Sequence, residues 1–149
     1  MDDDLTIEMK KLLASTFSLY LKAHGFHWNV MGPNFPQYHD FFGEIYEALQ
    51  GEVDDIAEQI RQLGSFAPAS LERFSSLTLI PDDLGIPDAQ DMVFKLKGDN
   101  DVLMGQISVC DKLADDAGKI GLCNYLQDLA MVHSKLGWKL ASTVGVQPV

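Results

Sequence analysis

The stretch from residue 24 to residue 46, HGFHWNVMGPNFPQYHDFFGEIY, holds the end of one predicted helix, a tight turn and the start of another. Apolar residues recur at helical spacing on both sides of Gly32 and Pro33, a pair that stops a helix. Asn34 and Pro36 then occupy the cap and first-turn positions of the next helix. The stretch therefore predicts two helices joined by a short turn.

The same apolar spacing extends outward and predicts a first helix over residues 5–30 and a second over residues 34–64. At 1.5 Å per residue, the second helix is a rod of about 42 Å. Asp88 is the predicted cap of a third helix that continues to about residue 117, and Gly118 separates it from a fourth over residues 120–142. The short join predicts that the third and fourth helices are antiparallel neighbours.

Residues 65–87 break the helical pattern with prolines and glycines and hold one short helical turn around residues 71–75. At ~3.3 Å per residue, a connection of about 23 residues can run the full length of the second helix. An all-α four-helix bundle with one long crossover between helices 2 and 3 is ferritin-like. We therefore predict a single ferritin-like domain over residues 1–149.

The composition limits the partners that the protein can have. Its 11 basic and 22 acidic residues give a net charge of -11 at pH 7, and no basic cluster offsets this sum. Such a surface repels a nucleic-acid backbone and concentrates metal cations, although the charge also fits a protein that needs it only for solubility. Metal cations are thus plausible partners, with solubility alone as the alternative.

The sequence also predicts where the protein is located and in what state its two cysteines are. No apolar stretch approaches the ~20 residues of a membrane span, and the acidic start MDDDLTIEMK does not resemble a secretory signal. We therefore expect a cytoplasmic protein without membrane partners. Cys110 and Cys123 are expected to be small buried thiols, because two cysteines without a CxxC pair make poor zinc ligands and no disulfide framework.

Carboxylates and histidines are the candidate metal ligands. A ferritin-type di-iron centre inside one bundle uses Glu-x-x-His pairs, and the sequence has none. The remaining candidates are His27, His39, Asp54 and Glu58. Asp54 and Glu58 project from one face of the second helix, but His39 and Asp54 lie about 22 Å apart along it. A centre that uses all four residues therefore requires two chains, which a two-fold antiparallel pairing of the second helix would provide twice per dimer.

Residues 24–46, followed by VDDIAEQIRQLG over residues 53–64, resemble the signature of the Dps family, the mini-ferritins named DNA-binding proteins from starved cells. The resemblance extends more weakly through the last two helices, including DDAGKIG at residues 115–121. Family members form dodecameric shells in which a ferroxidase centre lies at the two-fold interface. It takes two histidines from one subunit and an Asp and a Glu from its partner. The resemblance implies that these ligands are His27, His39, Asp54 and Glu58.

The resemblance implies a ferroxidase that oxidises Fe2+ with hydrogen peroxide, binds two irons per centre at most, and protects against oxidative damage. Ferric mineral would collect inside the shell. The ligand types suit this reaction because ferrous iron accepts imidazole and carboxylate, whereas ferric iron favours oxygen. Glu44 and Glu47 are candidates to nucleate the mineral, with a merely solvated helix face as the alternative.

The resemblance also places Trp28 close to the iron, where its ring either intercepts a stray oxidising equivalent or anchors the interface. His24, three residues before His27, either supports the site from behind or is a satisfied interfacial histidine. His133 has no acidic or histidine neighbour at ligand spacing and is predicted to be structural.

The sequence departs from the family pattern at three places. Gly43 stands where many members carry an acidic residue that supports a second iron. Asn124 stands where an acidic pore residue is common, although Asp128 can still line an entrance. The N-terminal arm, Met1–Leu5, holds three aspartates where DNA-binding members carry basic residues. Direct DNA binding is therefore not expected, while bridging by divalent ions stays open.

These departures leave a second hypothesis open. In it, the protein is a non-catalytic shell or a nucleoid-associated structural protein whose site has decayed or binds zinc. Gly43 and Asn124 are its main support.

Overall fold

A computed structural model describes residues 1–147 of the chain, so the last two residues of the predicted domain lie outside it. The described residues form five helices and no strand: α1 (Asp4–Asn29), α2 (Phe35–Gln62), α3 (Leu71–Leu77), α4 (Ala89–Asp116) and α5 (Ile120–Thr143). The predicted all-α bundle is confirmed, and α3 is the short helix predicted in the crossover between the second and third long helices.

The helix starts follow from local capping. The Asp3 carboxylate accepts a hydrogen bond from the Thr6 amide at 2.8 Å, and the Asp88 carboxylate accepts one from the Asp91 amide at 2.9 Å. Asn34 precedes α2 as predicted, but its side chain makes no capping bond. Its backbone is left-handed instead, with φ of 65°, so this residue supplies the turn rather than the cap.

The N-terminal segment is bound to the bundle. Asp2 accepts hydrogen bonds from the Lys10 ammonium at 2.6 Å and the Ser65 hydroxyl at 2.7 Å, and Ser65 follows the end of α2. These two bonds lower the pKa of the Asp2 carboxyl. The predicted arm over Met1–Leu5 is therefore shorter than expected, because its aspartates cap α1 or contact the end of α2.

The core is built by one face of each long helix. Its largest fully buried side chains are Met9, Leu12, Leu13 and Leu19 of α1, Phe42, Leu49, Ile56 and Ile60 of α2, Ile80 of the crossover, and Met92, Leu96 and Leu103 of α4. Leu126 and Leu140 of α5 complete it. α1 packs most closely against α2, and α4 against α5. Lys22 of α1 and Asp99 of α4 form a mostly buried ion pair at 2.7 Å that joins the two helix pairs.

The crossover is fixed on α1. Phe74 of α3 stacks on Phe17 with ring centroids 4.7 Å apart. The Ser15 hydroxyl accepts a bond from the Leu79 amide at 2.9 Å, and the Ser18 hydroxyl donates to that of Thr78 at 2.7 Å. These contacts hold the long connection against the bundle.

A polar chain crosses the apolar core from α2 through α5 to α4. The ring of His133, only 1% exposed, lies 2.7 Å from Glu52 Oε2 through Nε2 and 2.7 Å from Asn100 Oδ1 through Nδ1. The Asn100 amide also donates to the His133 carbonyl at 2.9 Å. A Cβ at Gly137 would lie 3.2 Å from Asn100 Nδ2, so glycine leaves room for this amide. His133 therefore joins three helices, the structural position predicted for it.

Two further sequence predictions concern membrane-spanning helices and the two cysteines. Within residues 1–147, no helix combines the length and the apolar character needed to cross a bilayer. Cys110 and Cys123 are free and buried, as expected. Burial raises the pKa of the Cys110 thiol to about 12, which keeps it protonated and unreactive at neutral pH.

The polar chain in the core predicts a stability effect. Asn100→Ala should lower the free energy of unfolding by about 1–3 kcal/mol, because it leaves the buried Nδ1–H of His133 without an acceptor. Urea denaturation at fixed protein concentration measures the change. The matched control is Gln127→Ala, since this exposed amide makes only long bonds to Asp111, at 3.3 and 3.5 Å. Equal unfolding midpoints for the two variants would contradict the prediction.

Candidate metal centre

Two histidines bind each other's backbone where α1 ends and α2 begins. His27 Nδ1 lies 2.7 Å from the carbonyl oxygen of His39, and His39 Nδ1 lies 2.7 Å from the carbonyl oxygen of His27. The two imidazole rings stack with their centroids 3.7 Å apart and their planes at 18°. The turn between the helices thus brings together two of the predicted ligands.

These bonds determine which nitrogen of each ring carries the proton. A carbonyl oxygen can only accept a hydrogen bond, so both Nδ1 atoms must be protonated donors. In the neutral rings, each Nε2 then keeps a free lone pair. A ring N–H bonded to a backbone carbonyl is the usual support of a metal-binding histidine, because it fixes the tautomer and the ring orientation. Both Nε2 atoms are therefore available as metal ligands on rings whose orientation is fixed.

The position of His27 near the end of α1 explains why its carbonyl is available. The last four carbonyls of a helix lack a partner in the next turn, and α1 ends at Asn29. His39 supplies the missing donor from α2. One pair of bonds therefore joins the end of α1 to the first turns of α2 and positions both rings.

Gly43 makes the close approach of His27 to α2 possible. A Cβ at residue 43 would lie 3.2 Å from Cε1 and from Nδ1 of His27, although the residue itself is helical and buried. Gly43 follows His39 by one helical turn, so any side chain there would stand beside the carbonyl that His27 binds. The sequence showed Gly43 only as a missing carboxylate, whereas the structure shows that this glycine makes space for a predicted ligand.

The acidic candidates lie on a separate part of the chain. Asp54 and Glu58 are exposed on α2, and within residues 1–147 neither makes a side-chain hydrogen bond or an ion pair. No group of three or more His, Cys, Asp or Glu residues that could hold a metal ion occurs within the same residues. The structure therefore brings His27 and His39 together but does not bring the two carboxylates to them.

Aromatic side chains continue from the histidine pair along α1. His24 stacks on Tyr46 at 3.7 Å and 11°, and its ring lies 4.1 Å from that of Trp28. The Tyr20 hydroxyl and His24 Nδ1 are 3.0 Å apart. Desolvation, with a smaller effect of His27, lowers the pKa of His24. His24 thus has partners within its own chain, and Trp28 is 59% exposed.

Sequence reasoning did not single out Tyr20 and Tyr46. The spacing of Tyr20, His24 and Trp28, four residues apart each time, could have shown a shared face of α1. Tyr46 had no such signal, because its contact with His24 crosses from α2 to α1. The other predicted residues, Glu44, Glu47 and Asp128, are all exposed, as is Asn124.

Comparisons with known proteins agree with this architecture. A family model described as "Ferritin-like domain" matches residues 8–146. The chain is 30% identical over 136 residues to the DNA protection during starvation protein of Brevibacillus brevis, covering 91% of each chain. The chain belongs to the Dps family. The crystal structure of a Dps protein from Bacillus brevis superposes with a TM-score of 0.92 at 28% identity, covering 97% of this chain and 99% of that chain.

A second solved structure extends the comparison. A Dps protein from Vibrio cholerae O1, described as a member of a broad superfamily of ferritin-like diiron-carboxylate proteins, has a TM-score of 0.91 at 27% identity. The match covers 94% of this chain and 88% of that chain. The Dps resemblance of residues 24–64 is therefore confirmed. The assignment of His27, His39, Asp54 and Glu58 as ligands stays a prediction, for which this chain's geometry supplies the preorganised histidine pair.

The contact between Gly43 and His27 predicts different outcomes for two glycine substitutions, one in α2 and one in α4. Gly105→Ala should stabilise the protein by about 0.5–1 kcal/mol, because alanine favours a helix over glycine and a Cβ there meets no atom within 4 Å. Gly43→Ala should lose this gain or destabilise the protein, since its Cβ presses on His27. Urea denaturation of both variants measures the difference. Equal stabilisation by the two alanines would show that the His27 ring is not held against α2.

Proposed function

We propose that this Dps-family chain is a ferroxidase and iron-storage protein. It oxidises Fe2+ with hydrogen peroxide at a centre shared by two subunits and stores the ferric product inside a dodecameric shell. The observation that carries the proposal is the reciprocal bonding of His27 and His39, which leaves two Nε2 lone pairs on stacked, fixed rings. A histidine with only a packing role has no need of this arrangement.

The shared centre is supported by the separation of the ligand types. His27 lies near the end of α1 and His39 in the first turns of α2, whereas Asp54 and Glu58 lie about four to five turns further along α2. A straight helix cannot bring its own residues 39 and 54 together, but a second α2 running antiparallel can place its carboxylates beside the first histidine pair. Two-fold symmetry then makes two identical centres per dimer. The exposed, partner-free state of Asp54 and Glu58 in the single chain fits ligands that are completed by another subunit.

The proposed reaction takes hydrogen peroxide as its oxidant, as the resemblance to the Dps family implies. Two Fe2+ ions each give one electron to one hydrogen peroxide molecule, which takes up two protons and forms two molecules of water. Because both electrons are delivered together, no hydroxyl radical is released. The imidazoles bind the ferrous substrate and the carboxylates favour the harder ferric product.

We assign the storage of ferric mineral and the entry of iron to acidic side chains. Glu44 and Glu47 are exposed on α2 and are proposed to nucleate the ferric mineral on the inner surface. Asp128, exposed on α5, is proposed to line the entrance one turn beyond Asn124, where the acidic pore residue is missing. The net charge of -11 per chain favours cation entry.

A complementation experiment tests the shared centre. His39→Ala and Asp54→Ala should each abolish peroxide-driven iron oxidation in homogeneous assemblies, since each removes a ligand from every centre. Random co-assembly of the two variants at equal amounts should restore about one quarter of the wild-type rate, because one centre in four then takes both halves from unmutated sites. Iron oxidation is followed by its ultraviolet absorbance after anaerobic loading.

The same experiment separates the alternatives. A centre within one chain would give no recovery on mixing. A non-catalytic or zinc-occupied shell would show wild-type rates equal to those of the protein-free control. Asp101→Ala provides the matched control, because this exposed aspartate pairs only with Lys97 on α4, away from α2.

DNA binding provides an independent prediction. The acidic N-terminus is held at the bundle by Asp2 and Asp3, and no mobile basic segment offers phosphate contacts within residues 1–147. A gel shift at a few micromolar protein, neutral pH and moderate salt should therefore show no retarded DNA without divalent ions. Retardation that persists in the presence of a chelator would overturn this prediction, whereas retardation that needs Mg2+ would indicate bridging.

A further inference from the structure

Phe35 covers one face of the His39 ring. The two rings stack with their centroids 5.0 Å apart and their planes at 27°, while His27 stacks on His39 at 3.7 Å. Within residues 1–147 the Phe35 and His27 rings do not contact each other, so they lie on opposite faces of His39. The His39 imidazole is therefore held between two rings.

The turn before α2 places Phe35 beside His39. The Gly32 carbonyl accepts a hydrogen bond from the Phe35 amide at 3.1 Å, and the left-handed Asn34 leads the chain into the helix. Phe35 is the first residue of α2, one turn before His39, so both side chains lie on one face of the helix. Helical side chains lean towards the N-terminus, which brings the His39 ring towards Phe35. The stack thus follows from the turn and the first turn of α2.

The hydrogen bond from His39 Nδ1 to the His27 carbonyl does not fix the plane of the ring by itself. Such a bond stays strong over about 30° of misalignment. The Nε2 lone pair, in contrast, lies in the ring plane and points in one direction. A tilted ring can therefore keep its hydrogen bond while its lone pair turns away from a metal ion. Contacts on both faces of the imidazole limit this tilt.

We propose that Phe35 is a positioning residue of the candidate centre, whose ring holds the plane of His39 so that Nε2 points at the metal ion. This inference rests on the proposed ferroxidase centre. Phe35 is 39% exposed in the single chain, whereas Phe42 is completely buried, so filling of the core does not account for the Phe35 ring. Leucine at residue 35 would supply an apolar side chain without a flat face, and tyrosine would keep the flat face.

Cobalt(II) is the probe of the test, because imidazole and carboxylate bind it as they bind Fe2+ and its visible absorption reports on the ligands. The assembled, iron-free protein is titrated with Co2+, and His39→Ala identifies the absorption that belongs to the centre. Phe35→Leu should weaken this Co2+ binding by about 3–10-fold, the contribution of a stacked aromatic pair. Phe35→Tyr should stay within about twofold of the wild type, because it keeps the stack.

Phe66→Leu is the matched control. This ring is 79% exposed beyond the far end of α2 and contacts Arg61, so its loss should leave Co2+ binding unchanged. Light scattering compares the assembly of every variant with that of the wild type. If Phe35→Leu loses Co2+ binding only because its assembly dissociates, Phe35 is an interface anchor and the inference is wrong.

Iron oxidation provides a second readout. A misaligned ligand weakens the binding of Fe2+ more than it slows the reaction of bound iron. Phe35→Leu should therefore raise the KM for Fe2+ by about the same 3–10-fold and leave kcat nearly unchanged, whereas Phe35→Tyr should change neither. An equal loss of Co2+ affinity in both variants would show that the flat face of residue 35 does not matter, and would overturn the inference.

Failure of this inference can be told apart from failure of the proposed function. If the wild type oxidises iron but Phe35→Leu matches its Co2+ affinity, the role of Phe35 is wrong and the ferroxidase proposal stands. If the wild type binds Co2+ without oxidising iron, the ferroxidase proposal is wrong, and the Co2+ affinities of the two residue-35 variants decide the role of Phe35. A wild type whose Co2+ absorption equals that of His39→Ala would contradict both.

Discussion

The bonds between each histidine ring and the backbone carbonyl of the other histidine determine the geometry of this end of the bundle. They supply a donor to a carbonyl that α1 leaves without a partner, and they bring His27 against α2 at Gly43. They also place the proton of each ring on Nδ1. Each of these consequences depends on the others. A side chain at residue 43 would press on the His27 ring, whose bond to the His39 carbonyl fixes the free lone pair on Nε2.

His133 shows how the same residue type takes a different role when both nitrogens are used. Its Nδ1 and Nε2 are bonded to Asn100 and Glu52 inside the bundle, so no lone pair is left for a metal ion. Ferritin-type centres occupy the bundle interior, but here that space holds a closed polar chain joining three helices. The remaining candidates are the half-buried pair His27 and His39 and the exposed Asp54 and Glu58, which the proposed centre would bring together from two subunits.

The sequence predicted the four long helices to within about two residues, because glycines, prolines and capping aspartates mark their ends locally. It also predicted that His39 and Asp54 lie too far apart along α2 to share an ion within one chain, whereas the assignment of His27, His39, Asp54 and Glu58 as ligands stays a prediction. It could not predict that Glu52 bonds His133, 81 residues away, or that Tyr46 stacks on His24. Such contacts depend on which faces of two helices meet, and no local signal encodes them. The contact of Gly43 with the His27 ring was not predicted for the same reason.

Gly43 lies against the predicted ligand His27. A carboxylate at this position would require the His27 ring to shift by a few tenths of an ångström, and this chain has glycine there instead. In the proposed reaction, a second iron without a protein ligand from residue 43 is bound more weakly, so centres with a single iron are more frequent. Single-iron centres are the ones that make hydroxyl radical from peroxide.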